Sequence, residues 1–292
     1  MRTLVHISDL HFGRVNRTIV DALRAQVLSI RPDVLVISGD LTQRARSEEF
    51  AEARALLATL PFPQIIVPGN HDVPLYNVWA RGMTPLTRYQ RYITADLEPY
   101  YGDSEVAVAG INTARSLTFK GGRISRGQVA RACGRMASLP GDVTRVIVTH
   151  HPFDLPGSNH PGDLVGRAHM AMAGFARCRV DIFLSGHLHE SATSESNSRY
   201  KIRGHSALVV QAGTATSTRW RGECNSWNLV RIDYPRVFVT RLTWKPDESR
   251  FAASAEEQFE RREEGWFRVP GSERAVATSC SPAEPVAGAA GG

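Results

Sequence analysis

Carboxylates, imidazoles and one carboxamide recur in five short clusters of this 292-residue sequence: Asp9-Leu10-His11, Gly39-Asp40, Gly69-Asn70-His71-Asp72, His150-His151-Pro152 and Gly186-His187-Leu188-His189. Oxygen and imidazole donors in this mixture suit first-row divalent ions such as Mn, Fe or Zn, and the absence of cysteine from every cluster argues against a purely structural zinc site. Two adjacent ions would need about this many ligands, one carboxylate bridging them. In an extended segment residues i and i+2 point the same way, so Asp9 with His11, and His187 with His189, are each expected to converge on one point. Gly39, Gly69 and Gly186 are expected to let the backbone turn sharply beside the ligands. A lone Gly-Asp or His-x-His is usually a turn or a satisfied polar pair; five in order are a site.

The elements between the clusters explain how they could meet. Thr3 to Ile7 is a short apolar run, Arg17 to Ile30 carries Ile19, Val20, Leu23, Val27 and Ile30 at helical spacing, and Val34 to Ile37 is a buried strand, which makes a β-α-β unit. Ser47 is placed to cap a helix running to Leu60, Gln64 to Val67 is a third strand, and Pro32, Pro61 and Pro63 mark the joins. Further strands are expected at Val106 to Ile111, Arg145 to Thr149 and Val180 to Leu184, with helices over Ser125 to Ser138 and Leu164 to Cys178. Each polar cluster then falls at the C-terminal end of a strand, where open α/β sheets bind their ligands. Leu208 to Gln211, Ser226 to Ile232 and Val237 to Trp244 have no long helix between them and predict an antiparallel meander closing a second sheet. The charged stretch Ser254 to Arg262 predicts a surface helix. Residues 1–268 are expected to form one domain, and 269–292, rich in Ala, Gly, Pro and Ser, a disordered tail.

Composition bounds the class. At 42% hydrophobic and 22% charged residues, a chain this long has the apolar surface for a sizeable core, which excludes disordered and fibrous classes. Of the 35 cationic side chains all but Lys120, Lys201 and Lys245 are arginine, and the net charge of +6 is spread along the chain rather than gathered in a run. That leaves nucleic acid disfavoured as a partner, although arginine forks suit phosphate-bearing ligands. The cysteines at 133, 178, 224 and 280 form no C-x-x-C and suggest neither a zinc knuckle nor a disulfide framework. A reducing, cytoplasmic setting is the expectation, with no transmembrane run and with the N-terminal apolar stretch broken by His6 and Asp9 before signal-peptide length. No heptads or interface stripe fix an oligomeric state.

The order D-x-H, G-D, G-N-H-D, H, G-H-x-H resembles that of the calcineurin-like metallophosphoesterase superfamily, with all five motifs intact from Asp9 to His189. The resemblance implies a four-layer α/β/β/α sandwich of two mixed sheets and a dinuclear site. One ion would take Asp9, His11 and His189, the other Asn70, His150 and His187, and Asp40 would bridge them. A bridging hydroxide would attack phosphorus, His71 would be the acid for the leaving group, and Asp72 would orient the His71 ring.

His11-Phe12-Gly13, Gly39-Asp40-Leu41-Thr42 and His150-His151-Pro152 look like the bacterial class III cyclic-nucleotide phosphodiesterase group, which implies hydrolysis of a small phosphodiester, cyclic AMP leading. Alternatives are glycerophosphodiesters, nucleotide-sugar lipids and nucleic acid, and from another class a non-catalytic binding scaffold. The segment Gly39 to Arg44 lacks the G-D-x-V-D-R-G of Ser/Thr protein phosphatases, and lipid A-type hydrolases typically have Arg where His71 stands. His151, His205 and Arg219 are candidate substrate contacts, the first weighed against packing on Pro152, the second expected to precede a strand near the ligand end, and the third weighed against an exposed loop. His6 is expected in the core, His160 and His169 on the surface, and Trp220 and Trp227 in packing.

Overall fold

The computed structural model describes residues 1–75, 78–115, 121–155, 161–218 and 223–275. The first apolar run is β1 (Arg2–Ile7), followed by α1 (Arg17–Ile30). The Asn16 side chain accepts the Thr18 N–H at the start of α1, Ile19, Val20, Leu23 and Val27 turn inward, and Arg31 ends the helix in the left-handed conformation before Pro32. Next come β2 (Val34–Ile37), α2 (Ser47–Ala58) and β3 (Gln64–Ile66). Ser47 lies inside α2 and is not its cap. The Glu49 carboxylate instead reaches back and accepts the N–H groups of Arg44 and Arg46 at 2.8 and 3.2 Å.

Two short helices that no apolar periodicity announces, α3 (Val78–Met83) and α4 (Thr87–Tyr92), lead to the edge strand β4 (Tyr100–Gly102). Then follow β5 (Val106–Gly110), α5 (Arg126–Met136), β6 (Thr144–Val148), α6 (Ala168–Arg177) and β7 (Ile182–Ser185). Ser125 caps α5 by accepting the Gln128 N–H. The chain continues with β8 (Ala192–Glu195), β9 (Leu208–Gln211), β10 (Ser226–Asp233) and β11 (Arg236–Lys245), and then β12 (Arg250–Arg262), β13 (Gly265–Arg268) and β14 (Arg274–Ala275).

The strands form two mixed sheets, ordered β13-β12-β11-β10-β1-β2-β3, with β14 also on β12, and β4-β5-β6-β7-β9-β8. The expected meander is divided between them. β9 lies parallel to β7 in the second sheet, whereas β10 pairs antiparallel with β1 and carries β11 and β12 onto the first. Ser254 to Arg262 is therefore strand, not helix. Its charges are answered across the sheet, Glu256 by Arg231 at 3.1 Å and Glu257 by Arg268 at 2.6 Å, while Phe259 is buried. Within the expected tail, Arg274 and Ala275 pair with Glu256 and Ala255, and residues 276–292 lie outside the described ones.

Three apolar layers hold the four-layer α/β/β/α sandwich together. Val36, Val67, Val146, Val148, Leu184 and Val230 meet between the sheets. Ile7, Ile37, Leu23, Val27 and Phe50 join the first sheet to α1 and α2, and Ile147, Phe183, Val129, Met172 and Phe175 join the second to α5 and α6. Alternate residues of one strand thus serve different cores, which is why the parallel strands read as unbroken apolar runs. His6 is buried as expected, its Nε2 2.9 Å from Ser38 Oγ, and Trp227 packs in the core.

The cysteine expectation is corrected. Cys133 on α5 and Cys178 after α6 form a disulfide, and Cys224 is disulfide-bonded as well, so the spacing gives no ground for a reducing compartment. Cys133→Ser is expected to lower unfolding free energy by about 2–4 kcal/mol, because the bridge closes a long loop of the unfolded chain. Urea unfolding of wild type with and without reductant, beside the variant, checks this; identical curves would remove the bridge from the stability account. No helix of the described residues is long and apolar enough to cross a membrane.

Candidate metal centre

All five clusters come together at the C-terminal ends of β1, β2, β3, β6 and β7, but not by strand alternation. Asp9, His11, Asp40, His187 and His189 each have a positive φ, between 51° and 78°, so they sit in left-handed turns just past the strands. The glycines also work differently from one another. Only Gly39 needs the left-handed region, at φ 97°. Gly69 and Gly186 provide room: a Cβ on Gly69 would stand 2.1 Å from Asp40 Oδ1, and one on Gly186 would stand 1.8 Å from Ser8 Oγ and 2.5 Å from Asp9 Oδ2. Gly69→Ala is accordingly expected to weaken divalent-ion binding about tenfold or more by displacing Asp40, the scale on which supporting groups act at such sites. Calorimetric titration with Mn(II) measures it, and an unchanged affinity would show that Asp40 need not stay where it is.

Two groups of side chains face each other across a shared carboxylate. Asp9, His11, Asp40 and His189 converge in one buried group, and His150, His151 and His187 in another. In the first, Asp9 Oδ1 stands 3.5 Å from His11 Nε2 and 3.3 Å from His189 Nε2, and these two nitrogens are 3.4 Å apart. In the second, His150 Nε2 is 3.1 Å from Asn70 Oδ1 and 3.3 Å from His187 Nδ1. Asp40 reaches both, with Oδ2 3.8 Å from His11 Nε2 and Oδ1 3.4 Å from His150 Nε2.

Supporting bonds aim the donors. His150 Nδ1 donates to the Ser38 carbonyl at 2.8 Å, which leaves a lone pair on Nε2 facing inward. Thr214 Oγ1 lies 2.6 Å from His189 Nδ1, and Asp9 Oδ2 accepts the Ser8 hydroxyl and the His187 N–H at 2.6 and 3.0 Å. Asp9 Oδ1, fully buried, has no hydrogen-bond donor. Acceptor atoms gathered this closely, several of them with their other positions already used, call for a cation. Burial opposes charge throughout, yet Asp40 lifts His150 to about 9, while His150 and His71 hold Asp40 well below the usual carboxylate range. Burial, then His150, pushes His187 down to about 4. Nitrogen and carboxylate donors without sulfur fit two adjacent first-row divalent ions.

His71 lies beside this centre, its ring edge-on to His11 at 4.9 Å between centroids. Its Nδ1 donates to the Gln43 carbonyl at 2.8 Å, which turns Nε2 outward. Asp72 does not orient that ring. It accepts the N–H groups of Leu41, Thr42 and Gly69 and the Thr42 hydroxyl, tying the loops after β2 and β3 together. Burial, then Asp40, raises Asp72 to about 6.

Of the remaining candidates, His151 is brought in, its ring 4.7 Å from that of His187 and its Nδ1 2.8 Å from Thr113 Oγ1. His205 is not. It precedes β9 at the end of the sheet away from the ligands, beside Lys201 and Phe267, and burial there lowers it to about 4. Arg219, His160 and Trp220 lie outside the described residues, and His169 is exposed on α6. Sequence reasoning missed Ser8, Ser38, Gln43 and Thr113, which act through backbone carbonyls or single hydroxyls that no motif marks. Thr214, in the loop after β9, likewise acts through a single hydroxyl. A hollow of about 1070 Å³ between α5 and α6 includes none of these side chains; one of about 390 Å³ runs from Val73 to Asn112 and Arg115, beside the Asn70 loop.

The family profile described as calcineurin-like phosphoesterase matches residues 2–191, the segment that carries every candidate ligand of the centre. The chain belongs to the calcineurin-like phosphoesterase family. Over 80 residues the chain is 41% identical to glycerophosphodiester phosphodiesterase GpdQ of Enterobacter lignolyticus, a match covering 24% of the chain and 29% of that relative. Among solved structures it is similar to a dimetal phosphatase from Danio rerio (TM-score 0.60, 15% identity, 82% of this chain and 95% of that one). It is also similar to a purple acid phosphatase from yellow lupin, Lupinus luteus, seeds (TM-score 0.63, 11% identity, 86% and 52%). At such identities the structural likeness concerns the fold.

Proposed function

We propose that this protein hydrolyses a small phosphodiester at a centre of two divalent ions, Mn, Fe or Zn. One group would be Asp9, His11 and His189, the other Asn70, His150 and His187, with Asp40 shared. The observation that carries the reading is Asp40, one carboxylate oxygen facing each group. When bound, a pair of divalent ions supplies Lewis acidity toward phosphoryl oxygens and acidifies water.

The chain's own part is positioning and proton transfer. The Gln43 carbonyl holds the His71 ring through Nδ1, so that as an imidazolium it would give its Nε2 proton to the departing oxygen, and the Asp72 clamp fixes the loop that carries Asn70 and His71. The short hollow between Val73 and Arg115 would take the organic part of the ester. The partial likeness to GpdQ supports a diester over a monoester. A 3′,5′-cyclic nucleotide such as cyclic AMP, then a glycerophosphodiester, are the first substrates to try. Protein reconstituted with Mn(II), Fe(II) or Zn(II) and assayed on bis(4-nitrophenyl) phosphate, 4-nitrophenyl phosphate and cyclic AMP tests the proposal. Faster turnover of the monoester than of either diester would overturn it.

A further inference from the structure

Three arginines gather at the outer edge of the second ligand group. Thr113 links them to it: its hydroxyl is 2.8 Å from His151 Nδ1 and its carbonyl accepts the Arg123 N–H at 2.9 Å. Gly122 lies directly on the imidazole, where a Cβ would stand 2.2 Å from His151 Nδ1. The Gly166 N–H donates to the Gly122 carbonyl at 2.8 Å and the Ile124 N–H to the Gly166 carbonyl at 3.1 Å, which sets Arg167 beside Arg123. Arg115 completes the group, its Nε and Nη2 donating to the Arg123 carbonyl at 3.1 and 2.8 Å and its Nη2 also to Gln128 Oε1.

Among the described residues no carboxylate pairs with these cations. Burial lowers the Arg115 pKa, and the charges of Arg123 and Arg167 lower it further, with no carboxylate acting in the other direction. Among the described residues none of the three enters an ion pair, whereas Arg131, Arg199, Arg231 and Arg268 each do. Asp163, on the turn before α6, exerts its charge on His187. Arg123 and Arg167 are exposed, and Arg167 opens α6 at φ 71° with no side-chain cap on the first turn. Like charges held together beside a phosphoryl site are stabilised by an anion they can share, and guanidinium forks match phosphate oxygens.

We propose that Arg115, Arg123 and Arg167 form a subsite for a second phosphate of the substrate, distinct from the phosphate being cleaved. The inference rests on the diesterase reading and narrows it, placing diesters that carry a further phosphate ahead of a cyclic nucleotide with one.

A matched pair of esters tests it: thymidine 5′-(4-nitrophenyl phosphate) with and without a 3′-phosphate, which share the scissile bond. With Mn-loaded wild type, KM for the 3′-phosphorylated ester is expected to be about tenfold lower, the scale of one or two charge-assisted hydrogen bonds. Arg123→Ala, and Arg167→Asn, which tolerates the left-handed backbone, should bring the two KM values together and leave that of the plain ester unchanged. Equal KM values in wild type, or a preference that survives in both variants, would overturn the proposal. If wild type cleaves neither ester, the diesterase reading has failed instead. Calorimetry with thymidine 3′,5′-bisphosphate against thymidine 5′-monophosphate then reads the subsite alone, and equal affinities in wild type and variants would overturn it there.

Discussion

Asp40→Asn is expected to reduce turnover by about a thousandfold or more, the effect of losing several kcal/mol of transition-state charge stabilisation. Asn keeps the size of the side chain and an oxygen for the His71 N–H, which Asp40 Oδ1 accepts at 2.8 Å, so the loops should stay in place. What it removes is the negative charge that both ligand groups face. The ring of His150, lifted to about 9 chiefly by Asp40 against its burial, loses that support in the same step. Bound metal, measured by elemental analysis after gel filtration, should fall in parallel with the rate. A variant that keeps both its metal and its rate would show that Asp40 is not shared.

His71→Ala should separate proton transfer from metal binding. The His71 side chain makes no contact with a candidate donor atom closer than its edge-on packing on His11, and its anchoring bond is to a backbone carbonyl. Metal content is therefore expected to remain at the wild-type level. The loss in kcat should be small for a 4-nitrophenyl leaving group and about 10²–10⁴-fold for an alkoxide, which cannot depart without a proton. A plot of log kcat against leaving-group pKa reads this directly as a steeper slope in the variant. Parallel lines for variant and wild type would remove His71 from the acid role.

Much of this centre could be read before any fold was known. The ligands are side chains of distinctive type, and parallel strands place them all on one edge, so their order carried both family and architecture. The limits of α1, β2 and β9 matched for a similar reason, since each is a clear apolar period bounded by Asn, Pro or Gly. What was misread depended on partners distant in sequence. Ser226 to Trp244 could join either sheet, and only the free edge of β1 decides it. The Glu- and Arg-rich β12 resembles an exposed helix until Arg231 and Arg268, on other strands of the same sheet, answer its charges. Cys133 and Cys178 have no telling pattern, because the bridge exists only where α5 packs along α6. His205 was placed at the wrong end because nothing in its neighbourhood gives the direction of β9 relative to β7.

Ten non-glycine residues in the described chain have positive φ, and five of them are Asp9, His11, Asp40, His187 and His189. Each such residue carries a conformational cost of order 1 kcal/mol or more that a glycine there would not. The donors of the centre are thus also among the positions where the bare polypeptide gains most from substitution. Selection for heat resistance alone would erode the candidate metal centre first, and selection for the proposed activity would keep the fold below its attainable stability. Directed evolution of this protein therefore has to impose both pressures together, with divalent metal present in every round.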